Sequence, residues 1–368
     1  MTTAPEGTAT MPTTPFPVID ADTHVDETEA TWEFIDDPAQ RPQRGTFDDP
    51  KSVRNYWLIA GTRQHKAKRS DVVTKTTAAT RELLDVPARL RHMDELGVQV
   101  QVIYPTLFLN NPTHDPLVEL ALTQSYNRWL AERTAASDGR LRWVCVLPLM
   151  SPDTAVEELR WAKEHGACGV FKKGDAEAGH AVWEDYYFPV YAEAQRLDMP
   201  VCFHQGSGKV RNVDASGSSP EMDFIDLKAP AVNGISALLN RGVPPKFPGL
   251  RFGCIEIGAS WVVLVDHMYK RRLLERSRTQ GLPAPDFSAR VFEPNNIFVT
   301  IEVTEDLPTI LRFISEDQLL AGSDYSHADP SQEHGFIAGL HELVDRGALS
   351  PDAPRKILHD NPKRFYGL

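Results

Sequence analysis

The feature that most constrains this chain is its rhythm: from Phe16 onward, short apolar runs rich in β-branched residues alternate with longer segments of helical period. Eight such runs stand out, at residues 16–22, 98–105, 141–149, 167–173, 199–204, 250–257, 296–302 and 318–324. Helix candidates lie between them at 87–97, 116–137, 151–166, 186–198 and 231–241. The third opens on Ser151, Pro152 and Asp153, residues that suit a helix start. A strand followed by a helix, repeated, builds a parallel sheet wrapped by helices. Eight repeats of that unit imply the α/β class and a closed (β/α)8 TIM barrel.

Residues 1–15, rich in Thr, Pro and Ala without apolar period, read as a disordered tail. Residues 16–368 read as a single barrel domain, because barrels run well past ordinary domain length. Two connections are long, one after the first strand and one after the fifth. Both are expected over the C-terminal face, where barrel active sites lie. The first, an insertion at 27–86, carries Trp32, Phe34, Phe47, Tyr56 and Trp57. These aromatics either pack the insertion onto the barrel or roof a pocket for an apolar or aromatic substrate, and Trp57 is a candidate for that contact.

Basic residues number 39 against 51 acidic ones, a formal charge of -12, with no basic run long enough to track a phosphate backbone. Nucleic acid is therefore not an expected partner. The cluster Lys66-Ala67-Lys68-Arg69 is either a solvated loop or an attractor for an anionic substrate. No stretch approaches the length needed to span a bilayer and no secretory leader pattern is seen, so no membrane association and a cytoplasmic location are expected. Cys145, Cys168, Cys202 and Cys254 each fall within an apolar run and read as buried free thiols.

The chemistry is carried by polar residues at strand ends. Asp22 and His24 close the first strand, His204 the fifth and Asp324 the eighth, with Glu256 near the end of the sixth. A closed barrel gathers these ends around one rim. Residues two apart on a strand point the same way, so Asp22 and His24 can bind one ion together. With His204 and Asp324 they form a ligand set of two imidazoles and two carboxylates for one divalent metal, Zn or Mn. Asp324 can act both as ligand and as proton acceptor. Glu256 is a second base, a holder of substrate polar groups, or a structural carboxylate beneath the loops. His327, three residues past Asp324, either orients that carboxylate, donates a proton, or is an ordinary loop histidine. Of Lys172 and Lys173, which end the fourth strand, alternation turns one inward. Lys173 is assigned with Arg211 to contacts with an anionic substrate, and Glu27 and Trp261 are weaker candidates.

The segments IDADTHVDE, CFHQG, LAGSDYSHADP and DNPKRFYGL resemble the amidohydrolase superfamily. They are most similar to its second large branch of hydrolases and non-oxidative decarboxylases related to aminocarboxymuconate-semialdehyde decarboxylase. The resemblance covers nearly the whole chain from Phe16, and implies that Asp22 and His24 are the first-strand ligand pair, His204 the fifth-strand ligand and Asp324 the eighth-strand carboxylate. Two positions depart from the pattern. Asp22 stands where the superfamily usually has the first histidine of His-x-His, and Glu256 where the decarboxylases generally have a histidine. A homo-oligomer is implied as well, with the terminal RFYGL segment, taken as exposed, contributing to it.

Three functions remain: hydrolysis of a small, aromatic or anionic molecule by metal-activated water; non-oxidative decarboxylation of an aromatic or enoic carboxylate; and ligand binding without turnover. Glu256 in place of histidine places hydrolysis first.

Overall fold

A computed structural model describes residues 14–47, 54–210, 224–328 and 331–368. The eight barrel strands are β1 (Ile19–His24), β2 (Val100–Tyr104), β3 (Leu141–Cys145), β4 (Ala167–Lys173), β5 (Val201–His204), β6 (Phe252–Ile255), β7 (Ile297–Thr300) and β8 (Leu319–Leu320). They lie side by side in chain order, and every pair within this sheet is parallel. Strand β8 is short, and the ring closes just beyond it. The Ala21 amide donates to the Ala321 carbonyl at 3.1 Å, that of Asp324 to Asp22 at 3.0 Å and that of His24 to Tyr325 at 2.9 Å. The expected (β/α)8 barrel is therefore the observed fold. All four cysteines are free and buried within it.

The helices that follow the strands include α1 (Val86–Glu95), α2 (Pro116–Thr134), α3 (Pro152–Glu164), α4 (Phe188–Arg196), α5 (Phe224–Arg241), α6 (Val262–Gln280), α7 (Leu307–Ile310) and, after β8, α8 (Phe336–Asp345). Asp115 caps α2 by accepting from the amides of Leu117 and Val118, and Asp85 caps α1 by accepting from that of Ala88. Helix α3 starts where the sequence placed it, although Ser151 makes no capping bond from its side chain. Helix α5 begins earlier than expected and runs through Pro230, which sequence reading treats as a breaker. Packing overrides that preference: a Cβ on Gly174 would lie 1.9 Å from the Pro230 carbonyl oxygen, so α5 is seated directly on the chain leaving β4.

The terminal RFYGL segment is exposed only in part, at Arg364 and Gly367. Phe365 and Tyr366 are fully buried, and the Tyr366 hydroxyl donates to the Ala21 carbonyl at 2.7 Å. Phe365 fills the space that Gly253 leaves open, since a Cβ there would lie 2.4 Å from its ring.

Part of the first insertion forms an antiparallel three-stranded sheet, Gln43–Thr46, Arg54–Ile59 and Thr62–Ala67. Its Trp57 packs edge-on against Trp32, ring centroids 5.9 Å apart. Lys66 Nζ donates to the Glu27 carbonyl at 3.0 Å, which ties the sheet to the end of β1. The loops after β2 and β5 are joined by a short parallel pairing of Asn110–Asn111 with Ser207–Val210. No described helix is long and apolar enough to cross a membrane.

Candidate metal centre

Asp22 and His24 lie two apart at the end of β1 and face one another, while a register shift between Asp20 and Thr23 separates Asp20 from them. All three are buried, with Asp22 and His24 at the rim. His24 Nδ1 lies 3.0 Å from the Pro105 carbonyl oxygen and so carries the proton, leaving Nε2 with a bare lone pair. His204, at the end of β5, repeats the arrangement with Nδ1 3.0 Å from the Gln205 carbonyl. Both Nε2 atoms face carboxylates. His204 Nε2 is 3.3 Å from Asp22 Oδ1 and 3.3 Å from Glu256 Oε2. His24 Nε2 lies 3.5 Å from Asp22, 3.7 Å from Glu256 and 3.6 Å from Asp324. Among the described residues His24 Nε2 has no hydrogen-bond partner despite full burial. Burial first, and then the imidazoles of His327 and His204, hold His24 well below the ordinary histidine range, so it stays neutral.

Lone pairs and carboxylate oxygens facing each other at these distances repel unless a cation sits among them. The ligand atoms of Asp22, His24, His204 and Glu256 all lie within 4.8 Å of one another, as do those of His24, Glu256, Asp324 and His327. A void of about 20 Å³ touches Asp22, Glu256 and Asp324, room for one ion or water. The donor set, imidazole nitrogen plus several carboxylates, fits a divalent metal.

The structure thus brings together all four residues expected as ligands, and adds Glu256. Its backbone leaves β6 at φ 62°, and Asp324 sits at φ 50°, so both side chains are aimed by left-handed turns that non-glycine residues seldom adopt. The next layer holds these turns in place. Buried Asp20 accepts from the Ser323 amide at 2.8 Å and its hydroxyl at 2.6 Å. A Cβ on Gly322 would lie 2.4 Å from Asp22 Cβ, so only glycine lets the two ligand-bearing segments touch. Arg89, buried under the site, donates to the His24 carbonyl at 3.2 Å and to Gln101 at 2.7 Å.

His327 stacks on His24 with centroids 3.8 Å apart, and its Nδ1 is 2.8 Å from Asp324 Oδ1. It also lines a cavity of about 450 Å³ over the cluster. Leu107, Leu109, Leu227 and Val73 give that cavity apolar surface, and His65, Lys68 and Arg69 give it a basic margin. Arg69 is partly neutralised by Asp26 at 2.8 Å, whereas Lys68 is exposed.

Other expected contacts fall elsewhere. Trp57 is buried inside the insertion and is not part of the cavity wall, because pairing with Trp32 buries more of its ring than an open rim allows. Lys173 is also absent from the wall: its Nζ is held by Glu177 at 2.7 Å and the Phe108 carbonyl at 3.1 Å. Lys172 pairs with the same Glu177. Arg211 lies outside the described residues. Glu27 is buried and accepts from the amides of Thr106 and Leu107, each at 2.9 Å, and Trp261 donates to the Gly258 carbonyl. Both are structural in the described contacts. Sequence reading missed Asp20 and Thr106, although Asp20 shares the parity of Asp22 and His24 and Thr106 directly follows a strand end.

A parallel barrel with imidazoles and carboxylates gathered at its C-terminal rim defines a metal-binding barrel enzyme. The chain matches the amidohydrolase family over residues 19–368 and belongs to it. A gamma-resorcylate decarboxylase of Rhodococcus jostii is 32% identical over 136 residues, 33% of this chain and 40% of that protein. The match therefore spans about two fifths of that relative's length. Among solved structures, an amidohydrolase from Mycobacterium avium subsp. paratuberculosis superposes with a TM-score of 0.74 at 20% identity, covering 96% of this chain and 99% of the other. A 5-carboxyvanillate decarboxylase from Novosphingobium aromaticivorans, complexed with manganese and a nitrobenzoic acid, gives 0.58 at 19% identity, covering 76% and 80%. The two structures share the fold with this chain.

Proposed function

We propose that the chain is a metal-dependent, non-oxidative decarboxylase of a hydroxylated aromatic carboxylate. The observation that carries this reading is the position of His327, which belongs both to the metal-binding cluster and to the cavity wall. A proton donor there stands between the charged centre and an apolar chamber, where a ring carbon must be protonated as carbon dioxide leaves. The basic margin of Lys68 and Arg69 suits an anionic substrate, and the matched stretch of gamma-resorcylate decarboxylase supports the same chemistry.

Hydrolysis ranked first on sequence because Glu256 stands where the decarboxylases generally have a histidine. Its Oε2 lies 3.3 Å from His204 Nε2, within the ligand cluster, which favours a role in holding the ion, and His327, 2.8 Å from Asp324, offers an imidazole for the acid–base role instead. Three carboxylates with two imidazoles suit Mn at least as well as Zn. A divalent ion bound here supplies Lewis-acid chemistry, drawing charge from a bound carboxylate and a neighbouring oxygen. The protein's own groups do the rest. Leu107, Leu109 and Leu227 exclude water from the ring, and His327 Nδ1 delivers the proton. The bond between ring carbon and carboxyl carbon breaks, its electron pair takes that proton, and carbon dioxide departs. Asp324, 2.8 Å away, steadies the charged imidazole before transfer.

The test is a panel of hydroxybenzoates incubated with manganese- or zinc-loaded protein, following released carbon dioxide and the matching phenol. Release abolished by Asp324→Asn supports the reading. No release from any member, with turnover of esters or amides instead, restores hydrolysis.

A further inference from the structure

We propose that Thr106 is the positioning residue for His327, fixing which ring nitrogen carries the permanent proton. This deepens the decarboxylase reading and rests on it only for its kinetic consequence. The Thr106 hydroxyl has one proton to give. It lies 2.7 Å from the Val25 carbonyl oxygen and 3.1 Å from His327 Nε2. A carbonyl can only accept, so the hydroxyl proton goes to Val25 and the hydroxyl oxygen accepts from His327 Nε2–H. Nε2 therefore stays protonated, and Nδ1 is turned towards Asp324 at 2.8 Å.

Thr106 is itself clamped. Its amide and that of Leu107 donate to Glu27 Oε1, each at 2.9 Å. Burial pushes the Glu27 carboxyl above the usual range, against these same bonds. The Glu27 carbonyl in turn accepts from Lys66 of the insertion. A chain of contacts thus runs from the insertion through Glu27 and Thr106 to the ring of His327. In the proposed reaction only the Nδ1 proton leaves; the pair of electrons from the broken carbon–carbon bond takes it, and the ring remains as the Nε2–H tautomer that Thr106 accepts from. Without that acceptor the ring can turn over and present the wrong nitrogen.

Nitrogen NMR of histidine-labelled, zinc-loaded protein tests this directly, with the His327 signals assigned by their loss in His327→Gln. The wild type is expected to show a protonated Nε2 coupled to a slowly exchanging hydrogen. Thr106→Ser should keep that pattern, and Thr106→Val should shift it. A bare Nε2 in the wild type overturns the proposal without recourse to any variant. An unchanged spectrum in Thr106→Val overturns it, and so does loss of the pattern in Thr106→Ser. If hydroxybenzoates are turned over, Thr106→Val should lower kcat roughly 10- to 100-fold with KM within about twofold, and Thr106→Ser should restore kcat to within about threefold. Absence of turnover in the wild type counts against the decarboxylase reading alone, because the spectra decide the tautomer independently.

Discussion

Replacing Glu256 by Gln should stabilise the metal-free protein and weaken the metal-bound one. The side chain keeps its shape and loses its charge. In the structure Glu256 is within 4.8 Å of ligand atoms on both Asp22 and Asp324. Coulomb's law with an effective dielectric of about 20 gives ~3 kcal/mol of repulsion for each carboxylate pair. Burial leaves little salt screening to reduce it. Proton uptake and local relaxation bring the net relief down to about 1–3 kcal/mol. For a chain of this size that corresponds to a rise of roughly 1–4 °C in the metal-free unfolding midpoint. With metal the sign reverses, because each tenfold loss of affinity removes about 1.4 kcal/mol of linked stabilisation. The assay is thermal unfolding of both proteins at one scan rate, with chelator and with excess manganese. Midpoints displaced in the same direction under both conditions would refute the reasoning, since they would show that the glutamate is not part of a cation-compensated cluster.

Gly322→Ala should strip metal without touching any donor atom, because the new Cβ would fall 2.4 Å from Asp22 Cβ; elemental analysis after purification checks it. Glu177→Gln leaves Lys172 and Lys173 buried without their shared counter-charge, a loss of about 3–5 kcal/mol readable in urea unfolding. Burial opposes ionisation of Glu177, but the two lysines outweigh it and hold the carboxyl down to about 2. Burial instead pushes Glu119 up to about 7, so below pH ~4.5 it is protonated in both folded and unfolded chains. As pH rises towards 7 the unfolded chain ionises first, and about 2–3 kcal/mol of stability is lost, a slope that Glu119→Gln should flatten in chemical unfolding followed against pH.

The barrel and the strand-end placement of Asp22, His24, His204 and Asp324 were legible in the sequence because both depend on local pattern. Strand ends at Asp22, His24, His204 and Asp324 are readable from apolar runs, and barrel closure converts strand ends into neighbours. What the sequence hid depends on how loops meet. Glu256 reads as a spare base until its left-handed backbone turns it towards His204. Trp57 reads as a candidate substrate contact until the antiparallel sheet folds it onto Trp32. The terminal Phe365 and Tyr366 look like loose ends because nothing in RFYGL announces the gap at Gly253 that receives them. Lys173 was placed on the correct strand, yet its occupation by Glu177 follows from a loop turn without an apolar period to betray it.

The join between the two ends of the barrel has its own consequence. Asp20 grips Ser323 across 303 positions of chain, beside the amide of Asp324 bonded to Asp22. Closing a flexible loop that long costs about 5 kcal/mol of chain entropy, which places this seam late in assembly and makes it the first to part. The residues that could hold an ion sit on both sides of it: Asp22 and His24 on one lip, Asp324 on the other. An ion held there would be a removable clasp on a hoop of polypeptide, and amides at 19–24 and 319–325 should then exchange with solvent according to its presence while those of β3 and β4 do not.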